Sequence, residues 1–248
     1  DAGKISFDEP FLTHRHQGLI LGQDNRKMSK RWGNVINPTD VVAEYGADTL
    51  RLYEMFMGPL EQTKPWSTDG VKGMKRFLDR VWRLQDKAVA NNSRALEIGF
   101  LLHKTIKKVG EDLHNLRFNT AISKLMELNN EFSKLPEINR QDFATFLKLL
   151  SPFAPHIAEE LYQKLGHKKS ITLESWPEYD NSKIVDETIT LAVQVNGKLR
   201  ATLAVSADIG EEEAKKQALA QENVQKWLEG KAPKKVIYVK GKLVSIVV

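Results

Sequence analysis

The apolar residues of this chain change their period once, and that change divides what it can fold into. From Trp66 to about Gly166 they recur at helical spacing; beyond Ser182 they alternate in steps of two. One stripe, at about 100° per residue, runs through Val71, Met74, Phe77, Leu78, Val81, Leu84 and Ala88, with Ser67, Thr68 and Asp69 placed to cap its start. The same spacing predicts a second helix over Leu101, Leu102, Ile106, Val109 and Leu113. A third carries Ala121, Ile122, Leu125, Met126, Leu128 and Phe132 and stops near Pro136; a fourth carries Phe143, Phe146, Leu147 and Leu150 and stops at Pro152. The fifth runs from Pro155 through Ile157, Ala158, Leu161, Tyr162 and Leu165 to a Gly166 cap. Helices joined this closely form an antiparallel bundle.

The polar, proline-containing stretch Ser175 to Ser182 reads as a tether. After it, two alternating runs flank Asn196-Gly197, a strong hairpin signal because a type I′ turn needs two residues that tolerate positive φ. A helix over 211–228 and strands over 236–239 and 243–248 complete a small β-β-α-β-β domain. Residues 1–64 hold too few apolar side chains for their own core and end in an amphipathic stretch, 47–57, predicted to be helical; they must lean on the helices after them. The expected fold is mainly α with a small α+β domain: 1–64, the bundle at 65–180, and 181–248.

The absence of cysteine excludes disulfides, thiolate zinc sites and cysteine nucleophiles. No apolar run approaches the roughly 20 residues of a membrane span, and no secretory signal opens the chain, so a soluble cytoplasmic protein with no membrane partner is expected. The opening from Asp1 into Ile5 to Phe11 reads as the interior of a longer protein. The net charge of +5 is uneven: 1–64 hold 8 Lys/Arg against 9 Asp/Glu, 65–180 hold 18 against 15, and 181–248 hold 11 against 8. The basic excess lies entirely in the last two segments, which favours an anionic macromolecular partner there.

Lys27-Met28-Ser29-Lys30 places two ammonium groups on a short polar loop, suited to capturing a polyphosphate; solvated surface lysines are the plainer reading. Downstream come Gly33-Asn34, Asn37-Pro38 and Tyr45-Gly46-Ala47-Asp48-Thr49-Leu50-Arg51. Together these resemble the second signature loop of the class I aminoacyl-tRNA synthetases and the residues after it in the bacterial leucyl branch. The likeness extends through Pro65-Trp66-Ser67-Thr68, 76–84, 154–161, 193–198 and 241–244, nearly the whole chain. Isoleucyl and valyl enzymes share the loop and parts of the bundle; the small last domain without a cysteine zinc site favours the leucyl branch.

The resemblance implies a leucine-tRNA ligase that uses ATP and Mg2+ to activate leucine and charge tRNA(Leu). It assigns Lys30 as the chief ATP contact and Lys27 as its assistant, with Met28 and Ser29 completing an ATP-binding loop that is mobile without nucleotide. The family's usual serine after this tetrapeptide is Arg31 here, followed by Trp32, which leaves the role of that hydroxyl open. The family's His-x-Gly-His element is absent from the six histidines. The implied reading is therefore the C-terminal portion of a monomeric enzyme, inactive alone and completed by an N-terminal catalytic and editing portion in cis or as a separate subunit. The rival is a tRNA-binding module without catalysis.

On the first bundle helix Lys72, Arg76, Arg80, Arg83 and Lys87 fall within one quadrant, opposite the apolar stripe. Such a row can contact phosphates without reading bases, though Asp79 and Asp86 on its flank also suit an ordinary solvated face. In the last domain Lys198 and Arg200 flank the hairpin turn, while Lys231, Lys234, Lys235, Lys240 and Lys242 crowd the helix-to-strand region; by resemblance these grip the outer corner of tRNA. No metal site is expected: His14 and His16 lack a third ligand. His156 reads as a capping or packing residue, and Trp66, Trp82 and Trp176 as core anchors.

Overall fold

A computed structural model describes residues 3–4, 6–9, 11–90, 95–184, 188–206, 209–228 and 233–247, with 95–97 and 188–189 in backbone alone. Lys231 and Val248 therefore lie outside the described residues. The chain divides into two compact units, Asp1–Ile184 and Val185–Val248.

In the first unit, β1 (Ile20–Leu21) precedes the lysine loop, and α1 (Pro38–Tyr45) and α2 (Ala47–Phe56) follow it. Next comes β2 (Lys64–Pro65), parallel to β1. The bundle is α3 (Thr68–Arg83), α4 (Ala95–His114), α5 (Phe118–Lys134), α6 (Arg140–Leu150) and α7 (Pro155–Lys164). A short parallel pair, β3 (Ala88–Val89) with β4 (Ile138–Asn139), ties the connections after α3 and α5.

The starts of α3, α6 and α1 carry side-chain caps. The Ser67 side chain accepts from Gly70 N at 3.3 Å, Asn139 from Gln141 N at 2.8 Å, and Asn37 from Thr39 N at 3.2 Å, with Pro38 at the first helical position. The α7 start is different, because its own N-cap, Ala154, has no acceptor side chain. Asp48, nearly buried on α2, reaches across to accept from Ile157 N at 2.8 Å and His156 N at 3.4 Å, and its Oδ1 lies 2.8 Å from His156 Nδ1. Arg51 on the same helix donates to the Pro152 carbonyl at 3.0 Å. An anion at a helix N-terminus satisfies orphan N–H groups and favours the helix dipole, so α2 is bolted to the far end of the bundle.

One hydrophobic core joins the segments expected to be separate. Val41, Leu52 and Tyr53 pack into the same cluster as Phe77, Phe132, Phe143 and Phe146. Residues 1–64 do lean on the bundle, and they do so closely enough to form one unit with it. The bundle rings meet edge-on at Phe132–Phe146 (5.9 Å) and stacked at Phe143–Phe146 (6.3 Å).

Two expectations need correction here. Trp66 is a core residue, 7% exposed, but Trp82 and Trp176 are 39% and 40% exposed. Trp82 sits at the edge of the α3 stripe with the Lys164 ammonium 5.0 Å from its ring. The segment read as a tether is docked along α4: Asp180 N donates to His103 Nδ1 at 3.1 Å, Trp176 lies beside Gly110, and a 3-10 turn spans Asn181–Lys183. The unit boundary consequently falls at 184–185, not at 180–181.

The second unit contains β5 (Thr188–Val195), β6 (Lys198–Ser206), α8 (Glu211–Leu219), α9 (Glu222–Leu228), β7 (Lys235–Val239) and β8 (Leu243–Val247). The sheet order is β6-β5-β8-β7, with β5 and β8 parallel at the centre. Asn196 (φ 48°) and Gly197 (φ 77°) form the expected hairpin turn. Leu191, Val193, Val195, Val244 and Ile246 form one core with Ala214, Ala218, Val224 and Leu228 of the helices. The single helix expected over 211–228 is broken at Ala220–Gln221, where the Gln225 side chain donates to the Leu219 carbonyl at 2.6 Å.

Candidate active-site loop and nucleic-acid interface

The lysine loop is held by side chains outside its signature residues. Gly22 to Arg26 form a tight turn, with Gly22 N donating to the Arg26 carbonyl at 2.8 Å and Asn25 in the left-handed region at φ 65°. Lys27 then bridges back to Leu21. Ser29 caps a 3-10 turn over Lys30–Trp32 by accepting from Arg31 N at 3.2 Å, and Gly33 closes it. Met28 is half-buried and packs against the main core, which anchors the loop while the lysines on either side stay exposed. Among the described residues, neither the Lys27 nor the Lys30 ammonium has an ion-pair or hydrogen-bond partner.

The neighbouring cations are arranged differently. Trp32 is 55% exposed and lies 5.6 Å from the Arg26 guanidinium and 5.2 Å from that of Arg31. Such cation–π contacts contribute about 0.5–1 kcal/mol each at exposed sites. Arg31, standing where the family has serine, is thus engaged with its own neighbour's ring.

Sequence reasoning missed Asn34 and Asp24. The Asn34 side chain accepts from Ser29 N at 2.9 Å and donates to Asp24 Oδ1 at 3.0 Å and to the Lys27 carbonyl at 3.4 Å. The hydrogen bond from Asn34 holds the Asp24 carboxyl below its ordinary range, aided by Arg26 N. No local pattern announces this pairing, since its members lie up to ten residues apart.

Of the α3 row, Lys72, Arg76, Arg80 and Arg83 are exposed on one face. Lys72 lies 3.7 Å from Asp69, and Asp79 pairs with Lys75 rather than with the row. Arg76, Arg80 and Arg83 have no ion pair among the described residues. Lys87 does not belong with them: its ammonium donates to the Ser133 and Leu135 carbonyls at 2.7 and 2.9 Å, closing the C-terminal end of α5. Those carbonyls would otherwise lack partners, so this lysine is structural.

In the second unit the lysines separate by strand register. Lys198, Lys234 and Lys235 are exposed at the end of the sheet near Asn196-Gly197, while Lys240 and Lys242 flank the opposite turn at Gly241, about 17 Å away at five strand residues. Arg200 lies flat on the Trp227 ring at 3.4 Å, and its buried Nε has no partner among the described residues. The group expected in the helix-to-strand region is therefore divided between the two ends of the sheet, with Lys234 and Lys235 joining Lys198, while Arg200 is committed to packing. His14 and His16 face each other at 6.4 Å, and among the described residues no group of three His, Cys, Asp or Glu side chains could hold a metal ion. No helix among the described residues is long and apolar enough to cross a membrane.

Comparison with known proteins places both regions. Residues 2–65, including the lysine loop, match the family described as tRNA synthetases class I (I, L, M and V); residues 98–215 match the anticodon-binding domain of tRNA ligase. The chain belongs to the class I tRNA synthetases. The loop stapled by Asn34 lies within the first matched stretch, and the anticodon-binding match begins inside α4, which leaves the α3 row between the two matched stretches. Among solved structures, a LeuRS of Agrobacterium radiobacter, in ternary complex with tRNA and LeuAMS, aligns over 99% of this chain with TM-score 0.82 and 32% identity. The chain spans 34% of that protein's length.

Proposed function

We propose that this chain is the part of a leucine-tRNA ligase that supplies the ATP-closing loop and tRNA-binding surfaces. The observation that carries this reading is the pair of exposed, unpartnered ammonium groups on a preshaped, Met28-anchored loop. In the activation step the leucine carboxylate attacks the α-phosphate of ATP and pyrophosphate leaves, so negative charge grows on the departing group. Lys30, assisted by Lys27, stabilises that charge more in the transition state than in the ground state. Ser29 holds the backbone turn that presents Lys30. The chemistry of two lysines fits a polyphosphate. Mg2+ would reach this loop with the nucleotide rather than on a ligand set built from its residues.

The anticodon-binding domain supports tRNA as the macromolecular partner, and the exposed row Lys72, Arg76, Arg80 and Arg83 offers it a phosphate-contacting face. The two end patches of the second unit, Lys198 with Lys234 and Lys235, and Lys240 with Lys242, are the further candidates for the tRNA corner. The leucine pocket is assigned to the part of such a ligase that this chain, at 34% of the matched LeuRS, does not span.

The test is amino-acid-dependent pyrophosphate exchange by the full-length protein, run in parallel with leucine, isoleucine and valine. Exchange with leucine alone is expected. Exchange driven by isoleucine or valine instead would overturn the leucine assignment, and no exchange with any amino acid would favour the non-catalytic tRNA-binding module.

A further inference from the structure

We infer that Asn34 is a positioning residue for the activation step: its amide fixes the backbone that carries Lys27 and Lys30 and presents the two ammonium groups as one unit. The inference rests on the proposed function and deepens it. On an unrestrained loop the backbone that carries the two lysines would have to be ordered afresh whenever nucleotide binds, at a cost in conformational entropy. The loop avoids most of that cost through one side chain. Asn34 Oδ1 accepts from Ser29 N, and Nδ2 donates to the Lys27 carbonyl and to both carboxylate oxygens of Asp24, at 3.0 and 3.2 Å. It thereby joins the 22–26 turn to the backbone on both sides of Met28.

The seat of this staple is tight. A Cβ on Gly22 would lie 2.7 Å from Asp24 Oδ1 and 2.8 Å from Asn34 Nδ2, so the Asp24–Asn34 pair rests directly on the Gly22 backbone, and any side chain there would push the pair aside. Neither Asn34 nor Asp24 is bonded to an ammonium group; both act on the lysines through the main chain. Segment 24–34 therefore keeps its shape if it swings over a nucleotide, and the spacing of the two cations is set before ATP arrives. Misplacing a catalytic group by about 1 Å can cost on the order of a hundredfold in rate.

Two measurements test this. In the full-length protein, leucine-dependent pyrophosphate exchange is followed against ATP concentration for the unmutated enzyme, Lys30→Ala, Asn34→Ala, Asp24→Ala and Asp24→Asn. Asn34→Ala is expected to lower kcat by about ten- to a hundredfold with a smaller change in KM for ATP. Asp24→Asn, which keeps an acceptor for the Asn34 amide, is expected to stay closer to the unmutated enzyme than Asp24→Ala. A defective Lys30→Ala beside a fully active Asn34→Ala would overturn the positioning role and leave the proposed function standing. A fully active Lys30→Ala would overturn both.

The second readout needs no activity. Hydrogen exchange on the 248-residue chain is expected to show the Ser29 amide protected, with protection lost in Asn34→Ala while the bundle amides stay protected. A Ser29 amide that exchanges freely in the unmutated chain would sink the inference.

Discussion

Lys27 and Lys30 in the loop, and Lys87, Lys108 and Lys148 in the bundle, are the same residue type put to opposite uses. The bundle lysines are consumed by the fold. Lys87 closes α5; Lys108 reaches the fully buried Asp112 at 2.7 Å; Lys148 meets Glu174 at 2.8 Å. Burial acts to lower the Lys148 pKa, but the adjoining Glu174 carboxylate and Tyr162 hydroxyl together outweigh it and the net shift is upward. The loop lysines are exposed and, among the described residues, without an ion-pair or hydrogen-bond partner, and the side chains that hold their backbone leave the ammonium groups alone. The lesson is that a cation becomes available to an anionic ligand when the fold shapes its backbone without satisfying its charge.

The largest effect that can break this contrast is on stability. Phe146→Ala, at the centre of the bundle's aromatic cluster, is expected to cost about 3–5 kcal/mol in denaturant unfolding. Lys27→Ala is expected to leave the midpoint within about 0.5 kcal/mol. A comparable loss at Lys27 would mean that the loop lysine is structural after all.

Next in size, Lys87→Ala orphans carbonyls at the α5 end and is expected to destabilise by about 1 kcal/mol, measured in the same way. The tRNA interface gives a finer discrimination. Arg80→Ala should reduce the slope of log binding constant against log salt by about one unit, whereas Lys87→Ala should leave it unchanged. Equal slopes for the two variants would erase the distinction between free and consumed cations in the row predicted from Lys72 to Lys87.

The smallest effect concerns pH. Burial first, and Lys183 second, push the His103 imidazole below its ordinary 6.5, against the opposing pull of Asp180 and Asp142. Because the neutral form is favoured in the native state, the contribution of His103 is present above that ordinary value and is lost as pH falls through the depressed one. The bond from Asp180 N to His103 Nδ1 breaks with it, since a protonated ring cannot accept. Protection of the Asp180 amide, taken relative to the intrinsic exchange rate at each pH, is expected to fall on acidification below the ordinary imidazole value in the unmutated chain and to lose that dependence in His103→Gln. A protection factor that does not change with pH would remove His103 from the docking of the 176–183 segment.

How much of this was legible in the sequence depends on the range of the forces involved. The five bundle helices and the Asn196-Gly197 hairpin were visible because periodicity, caps and turn chemistry act within a few residues. Asp48 capping α7 was not, because its partners lie 108 and 109 positions away; His156 could be read only as a capping or packing residue. Lys87 fell in the right quadrant for a phosphate row, and only the fold reveals that α5 ends beneath it. The break between α8 and α9 has no proline or glycine to announce it and is held instead by Gln225 reaching Leu219. At the site, the lysines were plain in the signature, while the Asn34 staple emerged only once Asp24, Lys27 and Ser29 were brought together.

The central claim is that charge left unsatisfied by the fold does the chemistry. Its most direct test is leucine-dependent pyrophosphate exchange by the full-length protein carrying Lys30→Ala or Lys87→Ala. The account predicts a fall of about a hundred- to a thousandfold for Lys30→Ala and a rate indistinguishable from the unmutated protein for Lys87→Ala. Equal rates for the two variants would contradict it.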